Sequence, residues 1–268
     1  AMSLALVSDG TAQQTQELRI VLVLPFTGPA ALLADEGFAG ADIAREIINE
    51  RGGTLGRKVV FVKADAPDPA SGVNEVERLI NREKLTAILG SYASSISLAT
   101  TQAAEKNGVF YWESWAAADT VTERGFKYTF RVTPKVSFFG ISAADYAATA
   151  IAKALGASPK ALKVAIVHED SAFGTGGANA AEKKAKEHGF TVVLKESYRQ
   201  TTADLSPLII KLKNAQPDIV IASGYVNDAI LTRRQAKELG LSVKAWIGLG
   251  AGYGLPDFAK AIGDDVNG

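Results

Sequence analysis

The sequence predicts an α/β protein of two doubly wound lobes, each a parallel sheet with helices on both faces. Three observations lead there. Short β-branched and leucine runs alternate with helically spaced apolar stretches along nearly the whole chain. That alternation is interrupted once, over 116–134, and then restarts. A chain of 268 residues is long enough for two such units, each with a core of its own.

The first unit begins at Leu18-Arg-Ile-Val-Leu-Val-Leu24, apolar almost throughout as a strand covered on both faces must be, and Pro25 stops it. Phe38, Ala41, Ile43, Ile47 and Ile48 keep helical spacing, which predicts a helix over 35–50 closed by the glycines of Arg51-Gly-Gly-Thr-Leu-Gly56. A strand over 58–63 follows, then a Pro- and Asp-rich loop at 65–71 that caps a helix over 70–82. Thr86-Ala-Ile-Leu-Gly90 is the third strand. Gly90 is expected to allow the turn after it, and Ser94, Ser95 or Ser97 to cap a helix running to about 107. A fourth strand over 109–112 and a strand-like 128–132, closed by Pro134, complete the unit. The second unit reads as helices over 137–155, 175–188, 205–215 and 228–239 with a short one after Pro256. Its strands fall at 163–168, 190–195, 218–223 and 243–247. The lobes are therefore expected at 18–133 and 134–268, with 1–17 as a processed leader or cloned N-terminus. In such sheets ligands bind beyond the carboxyl ends of the strands, so a site between the lobes would collect those loops.

Composition removes several classes of function. Lys plus Arg and Asp plus Glu both number 29, so the chain has no net basic surface for nucleic acid or anionic lipid. It has no cysteine, which excludes disulfides, thiol nucleophiles and thiolate metal sites. No run reaches the length of a membrane-spanning helix. The loop Pro25-Phe-Thr-Gly-Pro29 lacks the spaced glycines of a dinucleotide site, and neither a Walker A pattern, a G-x-S-x-G elbow nor an H-E-x-x-H pair occurs. Phe173-Gly-Thr-Gly-Gly177 is a glycine cluster at a helix start but lacks the P-loop lysine. Of the two histidines, His188 sits where a helix end favours a cation, and His168 has no apparent partner for proton transfer or metal. Binding without chemistry is expected: no catalytic residue, no cofactor, no metal.

The turn at Gly90-Ser-Tyr-Ala-Ser-Ser95 is the candidate for that binding, because free N–H groups at a helix start and the positive end of its dipole hold small anions. Serines there also serve simply as caps. The surrounding residues carry a family resemblance. Leu24-Pro-Phe-Thr-Gly-Pro29, Ile47-Ile-Asn-Glu-Arg-Gly-Gly53, the serine turn, Thr122-Glu-Arg-Gly-Phe126 and Val164-Ala-Ile-Val-His-Glu-Asp170 with Phe173-Gly174 occur in order. Leu208-Ile-Ile-Lys-Leu-Lys213, Pro217-Asp-Ile-Val220, Arg234-Gln-Ala-Lys-Glu-Leu-Gly-Leu241 and Gly250-Ala-Gly252 follow. Together, over 18–268, they resemble the branched-chain amino-acid type of periplasmic solute-binding protein, the type I receptors of ABC importers.

The resemblance implies an extracytoplasmic, monomeric receptor whose lobes close by a hinge on a small ligand and deliver it to ABC permease subunits in the membrane. It implies that Ser94, Ser95 and neighbouring N–H groups hold the ligand carboxylate with Tyr92 as wall. It also implies that the loop bearing Trp115, Ala116 and Ala117 is the second recognition loop, and that Phe173 and Tyr225 cover the ligand from the second lobe. Two departures bear on the ligand. Ala117 stands where such receptors usually offer a threonine, and Leu249 where they place the acid that pairs with the ligand ammonium. An amino-acid ligand then needs another carboxylate, Asp228 or Glu113, since a buried ammonium without an anion is costly. Asp228 reads equally as a dipole-stabilised helix start, and Glu113 as a strand-end charge in solvent. Without either acid an amine-free carboxylate is the better fit, and Trp112 belongs to the core. Family members run on beyond Gly254-Leu-Pro-Asp-Phe258 to complete the first lobe, so a truncated chain is expected at Gly268. The alternative reading is the ligand-sensing domain of a receptor or regulator with this fold.

Overall fold

The computed structural model describes residues 17–267, so the leader expectation lies almost wholly outside the described residues. Strands β1 (Leu18–Leu24), β2 (Val59–Asp65), β3 (Ala87–Gly90), β4 (Phe110–Glu113) and β5 (Thr129–Arg131) make one parallel sheet in the order β2-β1-β3-β4-β5. β6 (Lys163–Glu169), β7 (Thr191–Tyr198), β8 (Ile219–Ser223) and β9 (Ala245–Leu249) make a second, in the order β7-β6-β8-β9. Val21, Leu22, Val23 and Leu24 of β1 and Ile219, Val220 and Ile221 of β8 are wholly buried, which is why those strands read as unbroken apolar runs.

Helices α1 (Ala31–Glu50), α2 (Pro69–Glu83) and α3 (Ser94–Lys106) accompany the first sheet. α4 (Val136–Tyr146) runs through a wide turn into α5 (Ala152–Ala154), and α6 (Ala172–Glu187), α7 (Ser206–Ala215), α8 (Val226–Glu238), α9 (Ala251–Gly254) and α10 (Pro256–Ile262) follow. α2 is capped as expected, its Asp68 side chain accepting from the N–H of Ala70 and Ser71. α1 starts four residues before the expected 35, because Leu33 and Ala34 gain burial that local periodicity does not register. α6 likewise begins at Ala172 rather than 175, with Ser171 as its cap.

Packing corrects three local expectations and gives the glycine cluster its role. Gly90 has no left-handed backbone; it is glycine because a Cβ there would lie 2.8 Å from both the Tyr111 hydroxyl and the Val23 carbonyl. None of the three serines caps α3, whose cap residue is Ala93 with no side-chain bond. The glycine cluster is a helix crossing: a Cβ on Gly140 of α4 would lie 2.2 Å from the Gly177 carbonyl of α6, so the two backbones touch. Trp112 is not core. It alternates with inward-facing Tyr111 and Glu113, and its ring stacks at 6.3 Å on Phe110, which stacks at 5.3 Å on Phe130, on a face left partly open.

Candidate functional site

Each sheet reverses its strand order at one point, between β1 and β3 in the first and between β6 and β8 in the second. Loops leaving the carboxyl ends of adjacent strands diverge there and open a crevice. The serine turn follows β3, Phe173 follows β6, and Tyr225 follows β8. The two crevices face each other. Leu33 and Ala117 pack with Phe173, Tyr225 and Val226 across the lobes, and Asn227 reaches the Pro29 carbonyl at 3.4 Å.

Between the lobes lies a cavity of about 240 Å³ lined by Tyr92, Ser114, Trp115, Ala117, Thr133, Phe139, Phe173, Tyr225 and Gly250. The Phe173 and Tyr225 rings lie 5.6 Å apart, tilted by 44°. Gly250, at φ +72°, keeps Phe173 in place, since a Cβ there would sit 2.5 Å from its ring. Burial raises the Tyr92 hydroxyl to about 12, with the Glu36 charge adding to it. The Tyr225 hydroxyl is pushed far up by burial and then by Glu169, while Ser171 and the Ser94 backbone draw it back. Five of the expected residues thus share one wall: Tyr92, Trp115, Ala117, Phe173 and Tyr225.

The others fall elsewhere. Ser95 and Asp228 line a neighbouring interlobe cavity of about 560 Å³. Ser94 is buried, and its hydroxyl accepts the Ala118 N–H at 3.1 Å, which leaves its own proton to donate. Ala116 is buried in a small cluster with Ala118 and Val121. Leu249 is buried in the second-lobe core and lies off the wall that its neighbour Gly250 forms.

Glu113 is neither solvated nor free for an ammonium. It is wholly buried, and its Oε2 accepts from the Ser91 N–H at 2.8 Å and from the Ser97 hydroxyl. Its Oε1 accepts from the N–H groups of Trp115 and Ala116, both at 2.9 Å. One carboxyl therefore laces the serine turn to the loop after β4. Burial raises it to about 7 against the opposing pull of those four donors. Glu169 repeats the device in the second lobe, accepting from the Ser171 N–H at 2.6 Å, the Ser171 hydroxyl at 2.7 Å and the Gly174 N–H at 2.6 Å. Burial raises this acid too. Because Glu169 occupies the Gly174 N–H, that helix start is closed to phosphate. Glu169 escaped the sequence reading, although an acid ending a buried strand just before a serine-capped helix is a legible sign.

Asp228 is 4% exposed, and burial raises it to about 7. The Tyr198 hydroxyl lies 2.7 Å from its Oδ2 and 3.2 Å from the Ser223 carbonyl. A hydroxyl has one proton for these two acceptors, so both contacts are met together when Asp228 is protonated and donates to Tyr198. Oδ1 has no hydrogen-bond partner. The histidines are structural: His168 Nδ1 lies 2.8 Å from the Glu169 carbonyl, and His188 ends α6 with Nε2 2.6 Å from Asp145 Oδ1. Among the described residues no acidic or histidine cluster has the makings of a metal site.

Two parallel-sheet lobes facing each other across an aromatic-walled cavity define a bilobal small-molecule receptor. Residues 17–268 match the family described as periplasmic binding protein, and the chain belongs to it, within the type I branched-chain amino-acid group. The chain is 39% identical over 266 residues to Leu/Ile/Val-binding protein homolog 7 of Brucella abortus, covering 99% of this chain and 67% of that protein. Homolog 8 of Brucella suis is 36% identical over the same length, with 66% of it covered. The chain thus spans about two thirds of these relatives. Among solved structures, a leucine-binding protein LivK from Thermotoga maritima superposes with a TM-score of 0.82 at 28% identity, covering 93% of this chain and 67% of that one. A solute-binding protein of an ABC transporter from R. palustris, in complex with 4-hydroxybenzoate, shares the fold with a TM-score of 0.78 at 23% identity, covering 92% and 66%. Members of this family are solute-binding proteins.

Proposed function

We propose that the chain is the extracytoplasmic, periplasmic solute-binding component of an ABC importer, closing lobes 18–133 and 134–268 on a small carboxylate without turning it over. The observation that carries this reading is the interlobe cavity of about 240 Å³, walled by Tyr92, Trp115, Phe173 and Tyr225 at the switch points of both sheets. Its volume lies just under the range usual for small-molecule sites and suits a ligand of amino-acid size. The aromatic wall supplies apolar contact, and the Ser94 hydroxyl with the start of α3 supplies donors for a carboxylate. The protein acts as a monomer and presents the closed lobes to membrane permease subunits. Its aromatic side suits branched aliphatic or aromatic acids, two classes that the names of its relatives and structural neighbours also mention.

A thermal-shift screen against α-amino acids and their amine-free counterparts tests this, since a bound ligand at hundredfold excess over its dissociation constant adds about 2.7 kcal/mol of stability. Stabilisation by a carboxylic acid of either kind is expected. A protein unmoved by all of them refutes the carboxylate assignment. Replacing Ser94 with alanine should weaken binding by about 2 kcal/mol, or about thirtyfold, the loss of a charge-assisted hydrogen bond. Titration calorimetry with unchanged affinity would remove Ser94 from the site.

A further inference from the structure

Two aromatic rings from opposite lobes border the cavity of about 240 Å³, Trp115 from the first and Phe173 from the second, and each stands against a glycine. The two glycines are there for different reasons. Gly250 has a left-handed backbone, φ +72°, which by itself favours glycine. Gly37 lies inside α1, where glycine weakens a helix relative to alanine and needs another reason. That reason is contact: a Cβ there would lie 3.0 Å from Nε1 and 3.2 Å from Cε2 of Trp115, closer than a methyl group packs on a ring. Gly40, in the same helix, has nothing within 4 Å of the corresponding position.

Trp115 has one direction in which to retreat from such a contact. Its N–H is fixed on Glu113 Oε1 at 2.9 Å, and its ring packs on the buried cluster of Leu22, Leu24 and Ala34. The cavity is the unfilled space beside it. We propose that Gly37 sets the size of the ligand group this cavity admits, by leaving the Trp115 indole room to lie back on α1. The proposal rests on the solute-binding reading and adds to it a specificity-determining position outside the cavity wall, which acts through Trp115. Methyl groups placed at 37 push the indole toward the cavity, because a packed interior passes added volume on to whichever neighbour can still move. The space is then taken from the side group of the ligand.

Titration calorimetry on the full chain with two size pairs tests it: L-valine against L-phenylalanine, and 3-methylbutanoate against 3-phenylpropanoate. The head group is constant within a pair, so the larger ligand's dissociation constant divided by the smaller one's reads size alone. Gly37→Val should raise that ratio about tenfold, the scale on which an apolar pocket resolves a methylene group, and Gly37→Ala should raise it less. Gly40→Val loads the same helix with the same β-branched side chain in open space and should leave the ratio at its wild-type value. In a Trp115→Phe background, where the smaller ring leaves room, Gly37→Val should move the ratio far less than it does beside tryptophan. If Gly37→Val fails to fold, the smaller Gly37→Ala carries the test. A ratio unchanged in both Gly37 variants overturns the proposal and leaves the carboxylate reading standing. A shift equally large in Gly40→Val, or undiminished in the Trp115→Phe background, overturns the route through Trp115. Absence of wild-type binding by all four probes overturns the carboxylate reading and the role of Gly37 with it.

Discussion

Replacing Glu113 with glutamine isolates the carboxyl that ties the serine turn after β3 to the loop after β4. Glutamine keeps one acceptor oxygen and turns the other into an NH₂ donor. With the amide oxygen facing Trp115 and Ala116, the NH₂ can donate to Ser97 but confronts the Ser91 N–H, which loses its acceptor. An orphaned buried donor costs about 1–3 kcal/mol. That cost should appear at pH 5, where wild-type Glu113 is protonated and otherwise resembles the amide. As pH rises the balance changes. The folded value of about 7 lies above the ordinary 4.5, so the folded state binds more protons between them; this stability is complete below the lower value and is lost as pH rises through the upper. The interval is worth about 3 kcal/mol at 1.36 kcal/mol per unit. The uncharged glutamine loses none of it. Urea unfolding from pH 5 to 8 should therefore show Glu113→Gln less stable than wild type by about 1–3 kcal/mol at pH 5, with the gap closing or reversing by pH 8. A gap that stays constant refutes the raised carboxyl. A gap that widens with pH would mean the four donors hold Glu113 ionised.

Further outcomes follow from the same geometry. Gly250→Ala adds a Cβ 2.5 Å from the Phe173 ring at a left-handed backbone, and should cost about 1–3 kcal/mol of stability and weaken binding in the aromatic cavity; a chemical-denaturation midpoint equal to wild type would contradict it. Tyr198→Phe removes the hydroxyl between Asp228 and the Ser223 carbonyl and should destabilise by about 1–3 kcal/mol. An unshifted urea midpoint would mean that this bond contributes nothing. Asp228 is also raised to about 7, so the stability tied to it should fall as pH rises through that value, and Asp228→Asn should flatten that part of the pH–stability curve.

The sequence by itself determined the alternation of strands and helices, because strands buried on both faces must be apolar throughout and helices between them must carry one apolar stripe. It also pointed to loops at the carboxyl ends of strands, since parallel sheets leave their crevices there, while the family resemblance singled out Tyr92, Trp115, Phe173 and Tyr225, which the structure brings to one cavity wall. Strand ends came within a few residues; helix starts were less legible where long-range contacts set them, as Leu33 does for α1. Only the tertiary structure decided what the polar residues do. Ser97 reads as a cap but serves Glu113, a residue at the end of β4. Glu113 and Asp228 look alike as acids at element ends, yet one finds four donors and the other leaves an oxygen without one. Trp112 reads as core because an aromatic in a strand usually is, whereas its exposure depends on which face of β4 is covered. The division has one physical cause. Apolar burial is roughly additive along the chain and leaves a periodic trace. A hydrogen bond depends on which distant group arrives opposite it, and a single sequence carries no record of that meeting.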